Sequence, residues 1–405
     1  MNIAVVVALG VTQIIGYGTL YYAFPIAVPA MAATLGMPET WAYGAFAAGM
    51  LAGAGVAPVL GRMMDRIGAP RVMAWGSLLI AGLLALMPGV TAFWQLGVLV
   101  VLVEMVAVAV LYDGAFATLA LLRGAQARRA ITHLTLIAGF ASTIFWPLSG
   151  WMVGAFGWQA TYGAFGALHL GVALPLHLWL VARARGAVAA SRVSTAPPAV
   201  APALRGAAAR RGFWLLASGF ALSGMLIAAL GVHLVPLVQA AGMGAAAYLV
   251  AMLMGPSQVT IRLIDAILWQ RVRPVTVAVI SAAALPVAVA ALMLAGTTMA
   301  GAAAFAVMFG AGQGLASIVR GTVPLSLFGS AGFGAMLGRL TAWRTVLSAL
   351  APFGFAVILQ GAGPGAAMGV ALMLGVASLV PLLALRALVM RADVDQGARE
   401  GVGAS

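Results

Sequence analysis

Three charged residues interrupt long apolar stretches of the sequence: Glu104, Asp113 and Arg320. In the hydrocarbon core of a bilayer such a charge costs about 2.5–3.5 kcal/mol on insertion scales, so it has to be paired, protonated or in contact with water. Ionisable residues retained at that cost usually serve transport. We therefore predict that these three residues belong to a functional site.

Asp113 and Arg320 indicate two chemical roles. Because a guanidinium presents a fork of N–H donors, Arg320 could bind a carboxylate or another anionic group of a substrate. Asp113 could be its counter-ion or a carboxyl that takes up a coupling proton. A structural ion pair between the two residues is the alternative.

Glu104 competes with Asp113 for the coupling role. The two residues are nine positions apart, which at about 100° per residue puts them on opposite faces of a continuous helix. Glu104 is then either a protonated acid bonded to a neighbouring helix or the coupling residue in place of Asp113. We favour Asp113, because Asp113-Gly114 matches Arg320-Gly321 at an offset of 207 residues.

Several aromatic side chains could stack on a substrate or form hydrogen bonds with it. They are Tyr17, Tyr21 and Tyr22 in the first apolar stretch, Tyr112 in the fourth and Trp146 in the fifth. Tyr17 and Tyr21 are four residues apart and share a face of an α-helix, which favours them. Ordinary packing is the alternative for each. His233 could titrate during transport, and its alternative is a satisfied interhelical hydrogen bond.

The composition identifies the elements that carry these residues. Of 405 residues, 64% are hydrophobic and 7% charged, and the mean hydropathy is +1.10, whereas a soluble domain is about a quarter charged. A spanning helix needs roughly 20 apolar residues. Turn-forming or polar breaks divide the chain into apolar stretches near 3–33, 41–63, 72–90, 94–122, 130–155, 159–182, 212–240, 244–265, 274–295, 299–328, 340–360 and 366–390. We predict an all-α membrane protein with twelve transmembrane helices in two six-helix bundles related by pseudo-twofold symmetry.

Several kinds of site are excluded by residue types alone. Without Cys there is no thiolate metal site, and without Lys there is no Walker phosphate loop. The sequence has no HExxH zinc pair and no clustered nucleophile, so we predict no enzymatic activity, no cofactor and no metal. Glycines inside apolar stretches are expected to let helices approach closely. They are Gly310, Gly312 and Gly314, and the pairs Gly49 and Gly53, Gly150 and Gly154, and Gly334 and Gly338.

The arginines predict the orientation in the membrane. All 21 basic residues are Arg, and none of them falls in a loop after an odd-numbered span, where Glu39 is the only charge. By the positive-inside rule both termini are cytoplasmic, so the formal charge of +13 indicates topology and not nucleic-acid binding. The exclusive use of Arg is typical of a GC-rich genome, and we predict a bacterial inner (plasma) membrane. The N-terminal stretch lacks a basic region and a cleavage site, so we expect it to stay as the first span.

The chain is expected to consist of two related halves. We predict a six-helix bundle at 1–183, a cytoplasmic linker rich in Ala, Pro and Arg at 184–211, a second bundle at 212–391 and a cytoplasmic tail at 392–405. Arg62 and Asp65 recur as Arg262 and Asp265 at an offset of 200 residues, and Pro29 recurs as Pro236 at 207. Such a duplication is typical of transporters built from parallel repeats.

The segment from Gly61 through Arg62, Asp65, Arg66 and Gly68 to Arg71 resembles the loop signature of the major facilitator superfamily. The resemblance implies that Asp65 docks on the start of span eleven and holds a cytoplasmic gate, with Arg66 and Arg71 as loop partners. A charge cluster that only sets topology is the alternative. The second copy is degraded, since Ala266 follows Asp265, so Arg262 and Asp265 are weaker gate candidates.

The resemblance also implies a function. Gly16-Tyr17-Gly18 followed by Tyr21-Tyr22 is similar to the monocarboxylate and oxalate–formate branch of that family. We therefore predict a secondary transporter of a small solute, with an organic anion as the substrate, alternating access, and coupling to protons or a counter-substrate. The alternative is proton-coupled efflux of a neutral or cationic compound. The partners expected are the small-molecule substrate, the coupling species and the lipid bilayer.

Overall fold

The computed structural model describes residues 3–191, 200–244 and 246–402. Across those ranges the chain is almost entirely helical and forms no β-strand. It divides into two compact units, the first made of Met1–Ala199 with Gly332–Ala342 and the second of Val200–Ala331 with Trp343–Ser405. The predicted all-α fold is confirmed.

The first unit holds helices α1 to α9 and the first turns of α15. Its α-helices are α1 Ile3–Gly16, α2 Ala23–Leu35, α3 Glu39–Ile67, α4 Ala69–Leu86, α5 Phe93–Val110, α6 Tyr112–Arg123, α7 Ala127–Ala138, α8 Ala141–Leu168 and α9 Leu174–Ser191. Two π-helical segments, Tyr17–Tyr22 and His169–Ala173, join α1 to α2 and α8 to α9. Short 3₁₀ turns occupy Met87–Gly89 and Gly124–Gln126.

The second unit holds the remaining helices. They are α10 Gly206–Val238, α11 Ala246–Met252, α12 Met254–Ile267, α13 Pro274–Ala295, α14 Met299–Phe328 and α15 Phe333–Val402, with a π-helical segment at Gln239–Met243. The predicted linker, 184–211, overlaps the end of α9 and the start of α10, and its residues 192–199 lie outside the described part of the chain.

The described ranges contain nine stretches long and apolar enough to cross a bilayer. Two of these are too long for one crossing, Phe93–Arg185 with 93 residues and Phe333–Ala392 with 60. The first is divided where Gly124 and Gly157 adopt positive φ, and the second where Gly363 does. The division is consistent with the twelve predicted spans.

Positive-φ glycines repeat along the chain with nearly one spacing. Gly36 and Gly242 are 206 residues apart, Gly124 and Gly329 are 205 apart, and Gly157 and Gly363 are 206 apart. Each adopts a left-handed backbone conformation at or near the end of a span, where a residue with a Cβ would be strained. The backbone conformation therefore repeats at nearly the same spacing as the matched charged residues, whose offsets are 200 and 207.

Each unit has its own close-packed apolar core. Trp158 and Phe165 are among the fully buried side chains of the first, and Phe305 and Phe309 of the second. Such packing leaves few voids, so the polar side chains buried in each unit have little room to move.

Glycines provide the closest helix crossings. A Cβ on Gly49 would meet the side chain of Glu104, one on Gly310 would meet the backbone of Met254, and one on Gly314 that of Gln258. The expectation fails for Gly150 and Gly154, because a Cβ there would meet no atom of the described residues within 4 Å.

Candidate functional site

Span four is broken beside Asp113. Helix α5 ends at Val110, Leu111 is extended with φ −83° and ψ −159°, and α6 begins at Tyr112. Asp113 therefore lies in the first turn of a new helix, where it is 7% exposed. Half-helix ends at mid-membrane are a recurrent place for substrate and ion groups in transporters.

The break corrects one step of the sequence argument. The prediction that Glu104 and Asp113 face opposite ways assumes one continuous helix, and the extended Leu111 removes that assumption. A local signal of the break is Gly114, three residues after Leu111, because a Cβ there would overlap the carbonyl oxygen of Ala109 across the break.

A buried glutamine satisfies the backbone at this break. The side-chain Nε2 of Gln13 in α1 donates to the carbonyl oxygen of Val110 at 2.8 Å, and Gln13 is fully buried. The last carbonyl groups of a helix lack partners within the helix, and an unpaired one is costly in lipid. Gln13 therefore stabilises the half-helix geometry that positions Asp113, and sequence reasoning missed it.

Aromatic rings line the same region. The rings of Tyr17 and Tyr112 have centroids 4.7 Å apart, and Tyr112 stacks on Phe116 at 5.0 Å with an interplanar angle of 9°. Tyr17 is half-buried and Tyr112 is buried. The structure thus brings two predicted binding residues together, next in sequence to Asp113.

Tyr21 and Trp146 lie in a second, more exposed aromatic group. Tyr22 connects them, with its ring centroid 5.3 Å from that of Tyr21 and 6.2 Å from that of Trp146. Tyr21 is 50% exposed and Trp146 is 58% exposed. The shared face predicted for Tyr17 and Tyr21 assumes an α-helix, whereas Tyr17–Tyr22 is π-helical and follows an i→i+5 pattern.

Glu104 faces a small cavity inside the first unit. The cavity has a volume of about 10 Å³, and its polar lining residues are Glu104, Thr19 and Tyr162. That volume is close to what one water molecule requires. The Tyr162 hydroxyl is buried without a hydrogen-bond partner among the described residues, so the cavity offers polar groups to a small polar occupant.

The first unit contains two buried histidines, one of which contacts Thr19 of this cavity. Thr19 Oγ1 lies 2.8 Å from His169 Nε2, and Ser77 Oγ lies 2.8 Å from His177 Nδ1. The first contact joins the two π-helical segments of the unit, a type of turn often found at functional sites. These histidines could have been predicted from the sequence by the rule that selected Glu104 and Asp113, namely that an ionisable side chain inside a span is a candidate for function.

Asp65 contacts the start of α15. Its Oδ1 accepts the backbone N–H of Gly334 and its Oδ2 that of Ala335, both at 2.8 Å. This is the docking contact that the family resemblance implies. Arg66 and Arg71 are exposed, and Arg71 donates to the carbonyl of Ile67 at 2.8 Å. The gating role of these residues stays a prediction.

In the second unit, Arg320 is half-buried, lies eight residues before the end of α14 and is the only charged residue in that helix's sequence. Asp113 belongs to the first unit and Arg320 to the second, so their predicted pairing stays a prediction.

The gate candidates of the second half are both buried. Arg262 is 6% exposed and Asp265 is 3% exposed. Arg262 Nε donates to the carbonyl of Gly314 at 3.3 Å, and one terminal nitrogen donates to Gln258 Oε1 at 3.3 Å. Arg262 therefore bonds α12 to α14.

His233 forms a bond within its own helix. Its Nδ1 lies 2.9 Å from the carbonyl oxygen of Ala229, and its ring centroid is 5.1 Å from that of Phe355. The ring is half-buried. The sequence suggested a hydrogen bond from His233 to another helix as the alternative to titration. In the structure, Nδ1 of His233 instead contacts the preceding turn of its own helix. Across the described ranges, His, Asp and Glu side chains form no group of three that could hold a metal ion.

The chain matches known transporters in sequence pattern and in fold. Residues 9–352 match the family model of the Major Facilitator Superfamily. A comparison with curated proteins gives no match. The structure is similar to the human organic anion transporter MFSD10 (TETRAN), with a TM-score of 0.70, 16% identity, and coverage of 94% of this chain and 98% of that one.

A second similar structure is the proton:xylose symporter XylE bound to 6-bromo-6-deoxy-D-glucose. Its TM-score is 0.68 at 10% identity, with 96% of this chain and 97% of that chain covered. At such identities the likeness shows the fold alone. Because the family model covers most of the sequence, the chain belongs to the Major Facilitator Superfamily, a family of secondary transporters.

Proposed function

We propose that this protein transports a small organic anion by alternating access, coupled to protons or to a counter-substrate. The observation that carries the proposal is Arg320, a guanidinium inside the apolar helix α14, eight residues before its end. An ionisable residue inside an apolar span usually serves function. The planar fork of its guanidinium matches the geometry of a carboxylate, so an anionic substrate would bind it in part of the cycle.

Asp113 supports the coupling part of the proposal. It is buried in the first turn of α6, next in sequence to Tyr112, whose ring centroid lies 4.7 Å from that of Tyr17. A carboxyl group can exist in a charged and a neutral form, and each form makes different hydrogen bonds. Asp113 would bind the coupling proton in one part of the cycle or act as the counter-ion of Arg320.

The fold neighbours are compatible with this class of activity. MFSD10 is an organic anion transporter and XylE a proton symporter. Since both identities are low, Arg320 and Asp113 carry the proposal and the neighbours add only that the fold can serve both activities.

Asp65 and its loop partners would supply the gate. Two charge-assisted hydrogen bonds to the N-terminus of α15 are individually modest, about 0.3–1 kcal/mol for the charge at a helix end. Bonds of that size can break and re-form in each cycle.

We also propose that the protein lies in a bacterial inner membrane with both termini in the cytoplasm, because no arginine falls in a loop after an odd-numbered span. The chain has no Cys, so single cysteines report the topology directly. An impermeant maleimide should label Thr297→Cys in intact cells and Gln126→Cys only after permeabilisation. The reverse labelling pattern would overturn the orientation.

A second candidate function rests on the cavity beside Glu104. The cavity has room for about one water molecule beside the Glu104 carboxyl group, and such a carboxyl can take up and release a coupling proton. Proton-coupled efflux of a cationic or neutral compound would then depend on Glu104. Export of ethidium from cells that is abolished by Glu104→Gln and unaffected by Arg320→Gln would favour this alternative.

The proposal is tested with purified protein in proteoliposomes. Uptake of radiolabelled lactate and hexanoate is measured under an inward proton gradient for the wild type, Arg320→Gln and Arg211→Gln. Arg211 is exposed near the start of α10 and serves as the matched control. We expect Arg320→Gln alone to abolish uptake. Equal uptake by Arg320→Gln and the wild type would overturn the anion-binding role.

A further inference from the structure

A chain of directed hydrogen bonds crosses from α12 to α14 in the second unit. A terminal nitrogen of Arg262 donates to Gln258 Oε1 at 3.3 Å, and Gln258 Nε2 donates to Gln313 Oε1 at 2.9 Å. All three residues lie in the described part of the unit and are buried or half-buried.

The direction of this chain follows from Arg262. A guanidinium has only donors, so the atom of Gln258 that faces it has to be the amide oxygen. The amide nitrogen of Gln258 then faces Gln313, which has to present its own oxygen. Because hydrogen-bond networks decide which way an amide points, this chain fixes the orientation of Gln313. Its NH₂ group, with two donors, is directed away from Gln258.

Gln313 shares a helix face with Arg320. The two residues are seven positions apart, and at about 100° per residue their side chains leave the helix within roughly 20° of the same direction. They are separated by about 10 Å along the helix axis. Two neighbouring helices contact α14 on either side of this face, since a Cβ on Gly314 would meet Gln258 of α12 and one on Gly312 would meet Ser281 of α13. Gln313 and Arg320 are both half-buried, so their shared face is accessible.

Ser317 lies between them on this face and is also half-buried. Its hydroxyl donates to the carbonyl of Gly314 at 2.7 Å, which uses its one hydrogen. The face therefore offers a charged donor at Arg320 and a neutral donor at Gln313, with no hydroxyl proton available between them.

We propose that Gln313 is a specificity-determining residue, which binds a neutral oxygen at the end of the substrate remote from the carboxylate held by Arg320. The preferred substrate is then a monocarboxylate with a carbonyl or hydroxyl oxygen several carbons away. A dicarboxylate is disfavoured, because an amide donor does not neutralise a second buried charge. This inference rests on the proposed function of Arg320. Gln258 and Arg262 act as positioning residues, since they reach the substrate only through Gln313.

Three probes of equal carbon number test the inference: hexanoate, 5-oxohexanoate and adipate. Dissociation constants are measured on the purified full-length protein by thermal-shift titration. We expect the wild type to bind 5-oxohexanoate about 2- to 12-fold more tightly than hexanoate, which is the affinity ratio that one hydrogen bond supplies. We expect it to bind adipate less tightly than 5-oxohexanoate.

The variants separate recognition from folding. Gln313→Leu should remove the preference for 5-oxohexanoate and leave hexanoate affinity unchanged, and Gln258→Leu should weaken the preference because the amide of Gln313 loses its fixed orientation. Gln360→Leu, at an exposed glutamine of α15, is the matched control and should keep the wild-type ratio. If Gln313→Leu does not fold, the ratio of the affinities of Gln258→Leu for 5-oxohexanoate and hexanoate tests the inference. A ratio equal to that of the wild type would overturn it.

The possible failures are distinguishable. A wild type that binds hexanoate and 5-oxohexanoate equally, with both lost in Arg320→Gln, overturns the role of Gln313 and leaves the proposed function intact. Gln313→Leu weakening both probes equally also overturns it, because a structural role would do the same. Absence of binding for all three probes, or unchanged binding in Arg320→Gln, overturns the proposed function as well.

Discussion

The carboxylate of Asp65 accepts the backbone N–H of Gly334 at the first turn of α15, with an oxygen–nitrogen distance of 2.8 Å. The second carboxylate oxygen accepts the next N–H, from Ala335. The first N–H groups of a helix have no partner within the helix, so the side chain of Asp65 acts as the hydrogen-bond acceptor for two of them. The same residues lie at a close crossing, because a Cβ on Gly61 would overlap the carbonyl of Gly334.

Asp65→Asn should slow transport without weakening substrate binding. The variant loses the negative charge at the helix N-terminus and turns an NH₂ group towards one of the two backbone donors. We expect uptake into proteoliposomes to fall several-fold, while hexanoate affinity stays within about twofold, since a loss of about 0.3–1 kcal/mol is confined to the docked contact. Glu39→Gln, an exposed acid at the start of α3, is the control. An unchanged uptake rate would remove Asp65 from the gate.

Gly338→Ala should destabilise the same crossing. An added Cβ would overlap the carbonyl oxygen of Ala57 in α3, so the helices have to separate, at a cost of about 1–3 kcal/mol. We expect a lower thermal unfolding midpoint and slower transport. Gly354→Ala is the matched control on the same helix, because its added Cβ would meet no described atom within 4 Å. Equal midpoints for the two variants would contradict the close approach.

The sequence predicts the architecture well because its signals are local. Runs of apolar residues indicate the spans, and Gly157 with its counterpart Gly363 supplies the turns that divide the long helical stretches. Each of these features is encoded by neighbouring residues. The contact of Asp65 with the start of α15 joins distant residues, and it could be expected only because the loop signature resembles that of a known family.

The candidate site depends on contacts between distant residues, which one sequence does not reveal. Gln13 bonds to Val110, 97 positions away, and Thr19 contacts His169, 150 positions away. The break at Leu111 is signalled locally only by Gly114 in the first turn of α6, and it is supported by Gln13 from another helix. The prediction that Glu104 and Asp113 face opposite ways assumed an unbroken helix, so it loses its basis at this point and stays untested.

Thr19→Val should reduce the stability of the first unit by removing the link between its two π-helical segments. Thr19 Oγ1 lies 2.8 Å from His169 Nε2 and 2.8 Å from the carbonyl of Ile15. Leaving the buried imidazole nitrogen without a partner costs about 1–3 kcal/mol. The measurement is the thermal unfolding midpoint.

Thr34→Val is the matched control for this change, because Thr34 is exposed and makes only the bond to the carbonyl four residues earlier. A double-mutant cycle of Thr19→Val with His169→Phe isolates the pair, and we expect a coupling energy of at least about 0.5 kcal/mol. Additive effects would show that the contact contributes no stability.

Asp113→Asn should uncouple transport from the proton gradient. The amide cannot take up or release a proton, whereas it keeps nearly the shape of the acid in the first turn of α6. In proteoliposomes we expect proton-driven accumulation of hexanoate to be lost while exchange of internal for external hexanoate continues. If exchange and accumulation fall together, Asp113 serves substrate binding or folding and not coupling.

Glu104→Gln is the comparison that decides between the two carboxyl groups. The substitution is nearly isosteric, and the cavity of about 10 Å³ beside Glu104 can receive either side chain. We expect Glu104→Gln to keep proton-driven accumulation within about threefold of the wild type, since a neutral amide bonds to Tyr162 or a water molecule as a neutral acid would. Loss of accumulation in Glu104→Gln with retention in Asp113→Asn would transfer the coupling role to Glu104. The coupling site would then lie in the interior of the first unit, beside Thr19 and Tyr162.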